Sequence, residues 1–170
     1  TVDALAHAIE VVYEIAPTQP PVPPGRHVEL EGRGTTFIRE RFNHADGKTL
    51  FLLHGWTATA DLNWFTSYDA LAEHFNIVAL DHRGHGRGIR SDEEFTLEQC
   101  ADDVVALASH LGIDVFTVVG YSMGGAIAQL VAKRHPDHVE ALVLGATASY
   151  FADTRAERFS FMGLSGLATL

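Results

Sequence analysis

The tightest constraint on this chain is the stretch Gly120-Tyr121-Ser122-Met123-Gly124-Gly125. Before it, Phe116-Thr117-Val118-Val119 is an apolar, β-branched run that reads as a buried parallel strand. After it, Ala126-Ile127-Ala128-Gln129-Leu130-Val131-Ala132 reads as a helix. A chain that leaves a strand and enters a helix within so few residues must turn sharply around Ser122. Such a turn strains the serine backbone, and Gly120 and Gly124 remove the β-carbons that would strike neighbouring chain. The Ser122 hydroxyl then stands at the N-terminal end of a helix, where N–H groups and partial positive charge favour a developing oxyanion. A Gly-Ser turn into an ordinary helix is the plainer reading. The correct strand and helix on both flanks favour instead the setting in which a nucleophilic serine is presented.

The same alternation runs through the rest of the chain. Thr49–Leu53, Asn76–Asp81 and Ala141–Gly145 are mostly apolar runs of strand length, the pattern of strands buried on both faces. The spacing predicts a helix over Thr66–His74, with Leu71 and Phe75 inward, and another opening at Thr96. In the latter, Thr96 and Gln99 form a capping box, and Phe95 and Cys100 suit a hydrophobic staple. Val104, Leu107, Ala108 and Leu111 make its buried stripe, and Gly112 ends it. The helix after Ser122 stops at His135-Pro136. Earlier, His27–Leu30 and Thr36–Phe42 read as strands joined by a turn at Glu31-Gly32-Arg33-Gly34.

Strands alternating with amphipathic helices predict the α/β class, a mostly parallel sheet with helices on both faces. Ligands in such sheets bind at the carboxyl ends of the strands, where His54-Gly55-Trp56, Asp81-His82-Arg83 and Tyr121-Ser122 all fall. Residues 1–16, with Val2, Leu5, Ala6, Ile9, Val12 and Tyr13 at helical spacing, predict an N-terminal amphipathic helix. Residues 17–25 hold five of the six prolines and read as a stiff linker, ahead of an α/β core over 26–148.

Charge excludes whole classes of partner. Against 22 acidic residues stand 12 Lys and Arg, a formal charge of −10, so neither nucleic acid nor an anionic membrane surface is an expected partner. The single cysteine, Cys100, allows no internal disulfide and suits a reducing cytoplasm. No apolar run reaches the ~20 residues of a membrane helix. Thr1-Val2-Asp3-Ala4 lacks the basic start of a signal peptide, and an opening residue other than methionine is what an upstream start or trimming would leave.

In order and spacing, His54-Gly55-Trp56, Asp81-His82-Arg83-Gly84-His85-Gly86 and Gly120-Tyr121-Ser122-Met123-Gly124-Gly125 resemble the α/β-hydrolase superfamily, in particular its bacterial esterase and cofactor-free haloperoxidase-like members. The resemblance covers about residues 28–148, the N-terminal part of that fold. It implies Ser122 as nucleophile, the backbone N–H groups of Met123 and Trp56 as oxyanion donors, Gly120 and Gly124 as elbow glycines, and no metal or cofactor. It implies a small-molecule substrate, an apolar ester or related carbonyl compound. Trp56 and Trp64 are candidates for the wall of an acyl pocket, with a core role for Trp64 as the alternative. Gly84, Gly86 and Gly88 faintly suggest a dinucleotide loop, but Ile89 stands where the third glycine belongs, and the resemblance makes this turn structural.

The family's chain order is Ser, then Asp or Glu, then His. After Ser122 come only His135 and His138, roughly 18 Å away along a helix of 12 residues. His54, His82 and His85 lie at the right edge of the sheet but fit structural turns. Of the later acids, Asp137 and Glu140 sit at the wrong edge, and Asp153 and Glu157 fall in 149–170, which resembles the opening of a cap. The triad base and acid are thus expected outside these residues, and the fold lacks its C-terminal strands. Three origins fit: part of a longer enzyme, one piece of a cleaved protein, or a truncated product without activity. In each, the run at 141–145 is an apolar edge that a second polypeptide or self-association would cover.

Overall fold

The computed structural model describes residues 22–148. The expected N-terminal helix (1–16), most of the linker and the cap segment (149–170) lie outside the described residues. Six strands form one sheet in the order β1-β2-β4-β3-β5-β6. They are β1 (Gly25–Leu30), β2 (Gly34–Arg41), β3 (Thr49–Leu53), β4 (Asn76–Leu80), β5 (Phe116–Tyr121) and β6 (Val139–Gly145). Hairpin pairing makes β1–β2 antiparallel, and β2 also meets β4 antiparallel. The contacts β4–β3, β3–β5 and β5–β6 are parallel. Helices α1 (Ala60–Trp64), α2 (Tyr68–Ala72), α3 (Leu97–His110) and α4 (Met123–Arg134) connect them. This is the α/β architecture that the strand runs predict.

Alternation along each central strand feeds two cores. Phe51, Leu53, Val78, Leu80 and Val118 point to one face and pack with Cys100, Val104, Leu107, Ile127 and Val131 of α3 and α4. Leu50, Leu52, Ile77 and Ala79 point to the other and pack with Ala60, Tyr68 and Ala72 of α1 and α2. Both faces of β3 and β4 are therefore buried, which is why neither strand alternates with polar residues. Each fully buried Leu, Ile or Phe contributes about 1.5–3 kcal/mol of hydrophobic stabilisation.

Three local expectations are corrected. The helix expected over Thr66–His74 is only the short α2, Tyr68–Ala72, and a separate helix not expected, α1, precedes it, with the Thr59 hydroxyl accepting Leu62 N–H at its start. The capping box at Thr96 is half formed. Thr96 Oγ1 accepts Gln99 N–H at 3.2 Å, but the Gln99 amide donates to Glu93 instead of turning back. Sheet boundaries also move outward, with β1 starting at Gly25 and β6 at Val139. The stop at Gly112 holds: its φ is +69°, and Ile113 N–H and Gly112 N–H bond to Ala108 O and Ser109 O as in a Schellman cap.

Among the described residues β6 is the last strand of the sheet, paired on one side only, and Leu142, Val143 and Leu144 are 36%, 52% and 44% exposed. Among the described residues, no helix is long and apolar enough to cross a membrane.

Candidate active site

Ser122 is the one residue between β5 and α4, and its backbone sits at φ 53°, ψ −117°. Close approach on both sides enforces the turn. A β-carbon on Gly120 would stand 2.3 Å from Gly124 O, and one on Gly124 would stand 2.1 Å from Leu53 O. Ser122 N–H donates to Gly145 O at 2.9 Å, which ties the turn to the end of β6. Among the described residues, no side-chain cap hydrogen bond closes the first turn of α4, where Gly125 N–H bonds back to Ser122 O at 2.9 Å. Met123 is buried at the head of this helix.

The loop after β3 approaches the same point. A β-carbon on Gly55 would stand 3.3 Å from Ser122 Cβ, so the Gly55-Trp56 backbone runs beside the serine. The Trp56 ring meets His85 at 5.0 Å and Phe95 at 5.5 Å, edge to face, and packs on the α3–α4 core. Trp64 packs in the other core, with its Nε1 buried and, among the described residues, without a hydrogen-bond partner. That corrects the shared pocket wall: the two tryptophans serve different faces of the sheet.

The glycine-rich turn after β4 is structural. Asp81 is fully buried; its Oδ1 accepts Ala60 N–H at the head of α1, and its Oδ2 accepts both the backbone and Nε of Arg87. A β-carbon on Gly86 would lie 2.5 Å from Asp81 Oδ2. The carboxylate thus clamps α1 to the turn. Arg83 turns inward instead and, with Arg33, binds the buried Asp103.

Of the histidines at this edge, the rings of His54 and His85 are engaged elsewhere. His54 Nε2 accepts His82 N–H at 2.9 Å, so its proton sits on Nδ1 and is donated to Gly55 O at 2.8 Å. Burial above all pushes its pKa down to about 4, against a rise from the Gly55 bond. His82 is buried with, among the described residues, neither ring nitrogen bonded, and burial carries its pKa well below the usual value. His85 turns Nδ1 to Arg83 O at 3.1 Å. At the far end of α4, His135 meets Asp102 and His138 meets Asp114 O. Among the described residues, no side chain hydrogen-bonds the Ser122 hydroxyl. Asp153 and Glu157 lie outside the described residues. Asn63 carries no sequence signal, yet its Oδ1 accepts Gly55 N–H at 2.7 Å.

A family profile, the alpha/beta hydrolase fold, matches residues 48–164. The chain belongs to the α/β-hydrolase fold family. Similar proteins include the bifunctional esterase/perhydrolase of Acinetobacter calcoaceticus, 36% identical over 117 residues that span 65% of this chain and 41% of that protein. Among solved structures, a hydrolase from Pseudomonas aeruginosa is 25% identical with a TM-score of 0.73, covering 84% of this chain and 52% of that one. The enol-lactonase of Burkholderia xenovorans is 28% identical with a TM-score of 0.67, covering 75% and 48%. The chain spans less than half the length of the curated relatives it matches. Its α/β-hydrolase sheet is correspondingly truncated relative to the family fold.

Proposed function

We propose that this chain carries the nucleophile half of a serine hydrolase that acts on a small or medium apolar ester or related carbonyl compound. The observation that carries this reading is Ser122 alone between β5 and α4 at φ 53°, held by glycines that no larger residue could replace. In the reading, Ser122 Oγ bonds to the carbonyl carbon, and the carbonyl oxygen becomes an oxyanion beside Met123 N–H and Trp56 N–H. Each such donor is worth on the order of 2.7–4 kcal/mol at sites of this kind. The hydroxyl proton passes to a base supplied from outside residues 22–148, the leaving alcohol departs, and water releases the acyl group. The esterase/perhydrolase relative supports a haloperoxidase-like branch without cofactor; perhydrolysis and carbon–carbon bond hydrolysis use the same serine turn.

A second reading rests on the occupied histidines. With the His54 and His85 rings bonded elsewhere and His82 buried away from solvent, residues 22–148 by themselves bind a carbonyl ligand and turn it over little. A fluorophosphonate probe on the full-length protein, followed by mass spectrometry, tests the main reading. It expects an adduct on Ser122 that S122A loses; an unmodified Ser122 sinks it. Ligand-induced stabilisation without product then favours the second. The domain plan, a cytoplasmic location and cover of the β6 edge by a second polypeptide or a second copy belong to the same proposal. A free, buried Cys100 and the exposed Leu142–Leu144 support them.

A further inference from the structure

The backbone beside the serine contains the residue least able to hold a direction. A β-carbon at Gly55 would fit tightly, 3.3 Å from Ser122 Cβ and 3.4 Å from Tyr121 Cδ1. Glycine also has the widest backbone freedom. Both peptide groups that flank it are instead held from outside. Gly55 N–H donates to Asn63 Oδ1 at 2.7 Å, and Asn63 is fixed on α1, where its own N–H reaches Thr59 O at 3.1 Å. The Gly55 carbonyl accepts His54 Nδ1–H at 2.8 Å and, more weakly, Ala58 N–H at 3.4 Å.

A trans peptide is planar, so the Gly55 C=O and the Trp56 N–H point in opposite directions within one plane. Fixing the carbonyl aims the N–H. Fixing the preceding peptide through Asn63 removes the rotation that glycine would otherwise allow. The next residue, Thr57, is β-branched yet held at φ 56°, which shows that the surrounding contacts dictate the loop against local preference.

We propose that Asn63 is a positioning residue for this loop: its amide oxygen, acting through Gly55 N–H and together with His54, directs the Trp56 N–H toward the carbonyl oxygen bound at Ser122. The inference rests on the reading of Ser122 as nucleophile. It assigns Asn63 no contact with substrate. Helix packing alone would make its shape matter and its acceptor oxygen irrelevant.

Two variants separate these roles. Asn63→Asp keeps an acceptor in place; Asn63→Leu keeps the bulk and removes it, with Asn63→Ala in its stead if the leucine variant fails to fold. The rate constant for fluorophosphonate modification of Ser122 falls roughly 10-fold or more in N63L and stays within about 3-fold in N63D. In the same samples, NMR reads hydrogen exchange of the Gly55 amide and the chemical shift of the Trp56 amide. Faster Gly55 exchange and a moved Trp56 resonance in N63L alone support the inference. Equal rates and unmoved resonances in both variants overturn it. An unmodified wild-type Ser122 overturns the nucleophile reading instead, and the two amides still decide whether Asn63 holds the loop.

Discussion

Gly124 meets Leu53 so closely that a β-carbon at 124 would stand 2.1 Å from the Leu53 carbonyl oxygen. The head of α4 is thus pressed against the end of β3, and that contact brings the turn at Ser122 beside the loop at Gly55. The obstacle is backbone, which cannot swing aside as a side chain can. Gly124→Ala is expected to cost about 3 kcal/mol or more. Gly32→Ala is the contrast: φ there is +67°, which strains an alanine, but nothing lies within 4 Å of the added carbon, so the cost is about 1 kcal/mol of backbone strain alone. Urea unfolding of both variants checks the contrast. Equal losses would mean that the close approach is not what matters at 124.

Ser122 stores strain at φ 53°, ψ −117°. Glycine adopts positive φ without a β-carbon penalty but loses more entropy on folding. Ser122→Gly is therefore expected to stabilise the fold by about 1 kcal/mol while removing the nucleophile. Thermal melting of S122G and wild type reads this directly. A lower melting temperature for S122G counts against strain at the turn.

Asp103 joins parts of the chain that are far apart in sequence. Its side chain is 2% exposed and receives Arg33 Nε, Arg83 Nε and Arg83 Nη2 at 2.5, 2.6 and 2.8 Å. Removing the carboxylate leaves the inward-turned Arg83, whose side chain is 7% exposed, without its counter-charge. Asp103→Ala is expected to cost about 3–5 kcal/mol, measured by chemical denaturation. A loss under about 1 kcal/mol would make this an ordinary surface pair.

Acid should weaken the fold through His54 and His82. Burial lowers both pKa values, that of His54 to about 4; His85 adds to the lowering of each, and Asp81 opposes it at His54. Unfolded, each ring titrates near its ordinary value of about 6.5. Between these limits the unfolded chain binds more protons, so stability falls as pH falls. For His54 the contribution is full above about pH 6.5 and is lost on the way to about pH 4, at most about 3 kcal/mol; His82 acts in the same direction. Unfolding midpoints at pH 7.5, 6 and 5 should decline, and less steeply in His54→Asn. A flat wild-type profile over that range would contradict the buried neutral rings.

Much of the fold was legible in the chain itself. Continuous apolar runs marked β3, β4 and β5, because a strand buried on both faces cannot alternate. Gly112 marked the end of α3, and the glycines around Ser122 marked the turn. Each of these signals is steric or hydrophobic and acts within a few residues of its source. Short helices were less legible: α1 and α2 have five residues each, less than two turns of periodicity to read.

By itself, then, the sequence determined the α/β layering and the strand–Ser122–helix turn, since backbone sterics and apolar periodicity are local properties. Only the tertiary structure decided who holds whom. It occupied both nitrogens of His54, which removes it as a free base. It put Trp64 in the core opposite to that of Trp56, gave Asp103 two arginines, and set Asn63 on Gly55. A hydrogen bond has a reach of about 3 Å, and which groups come that close is set by packing between distant segments. No local pattern records it.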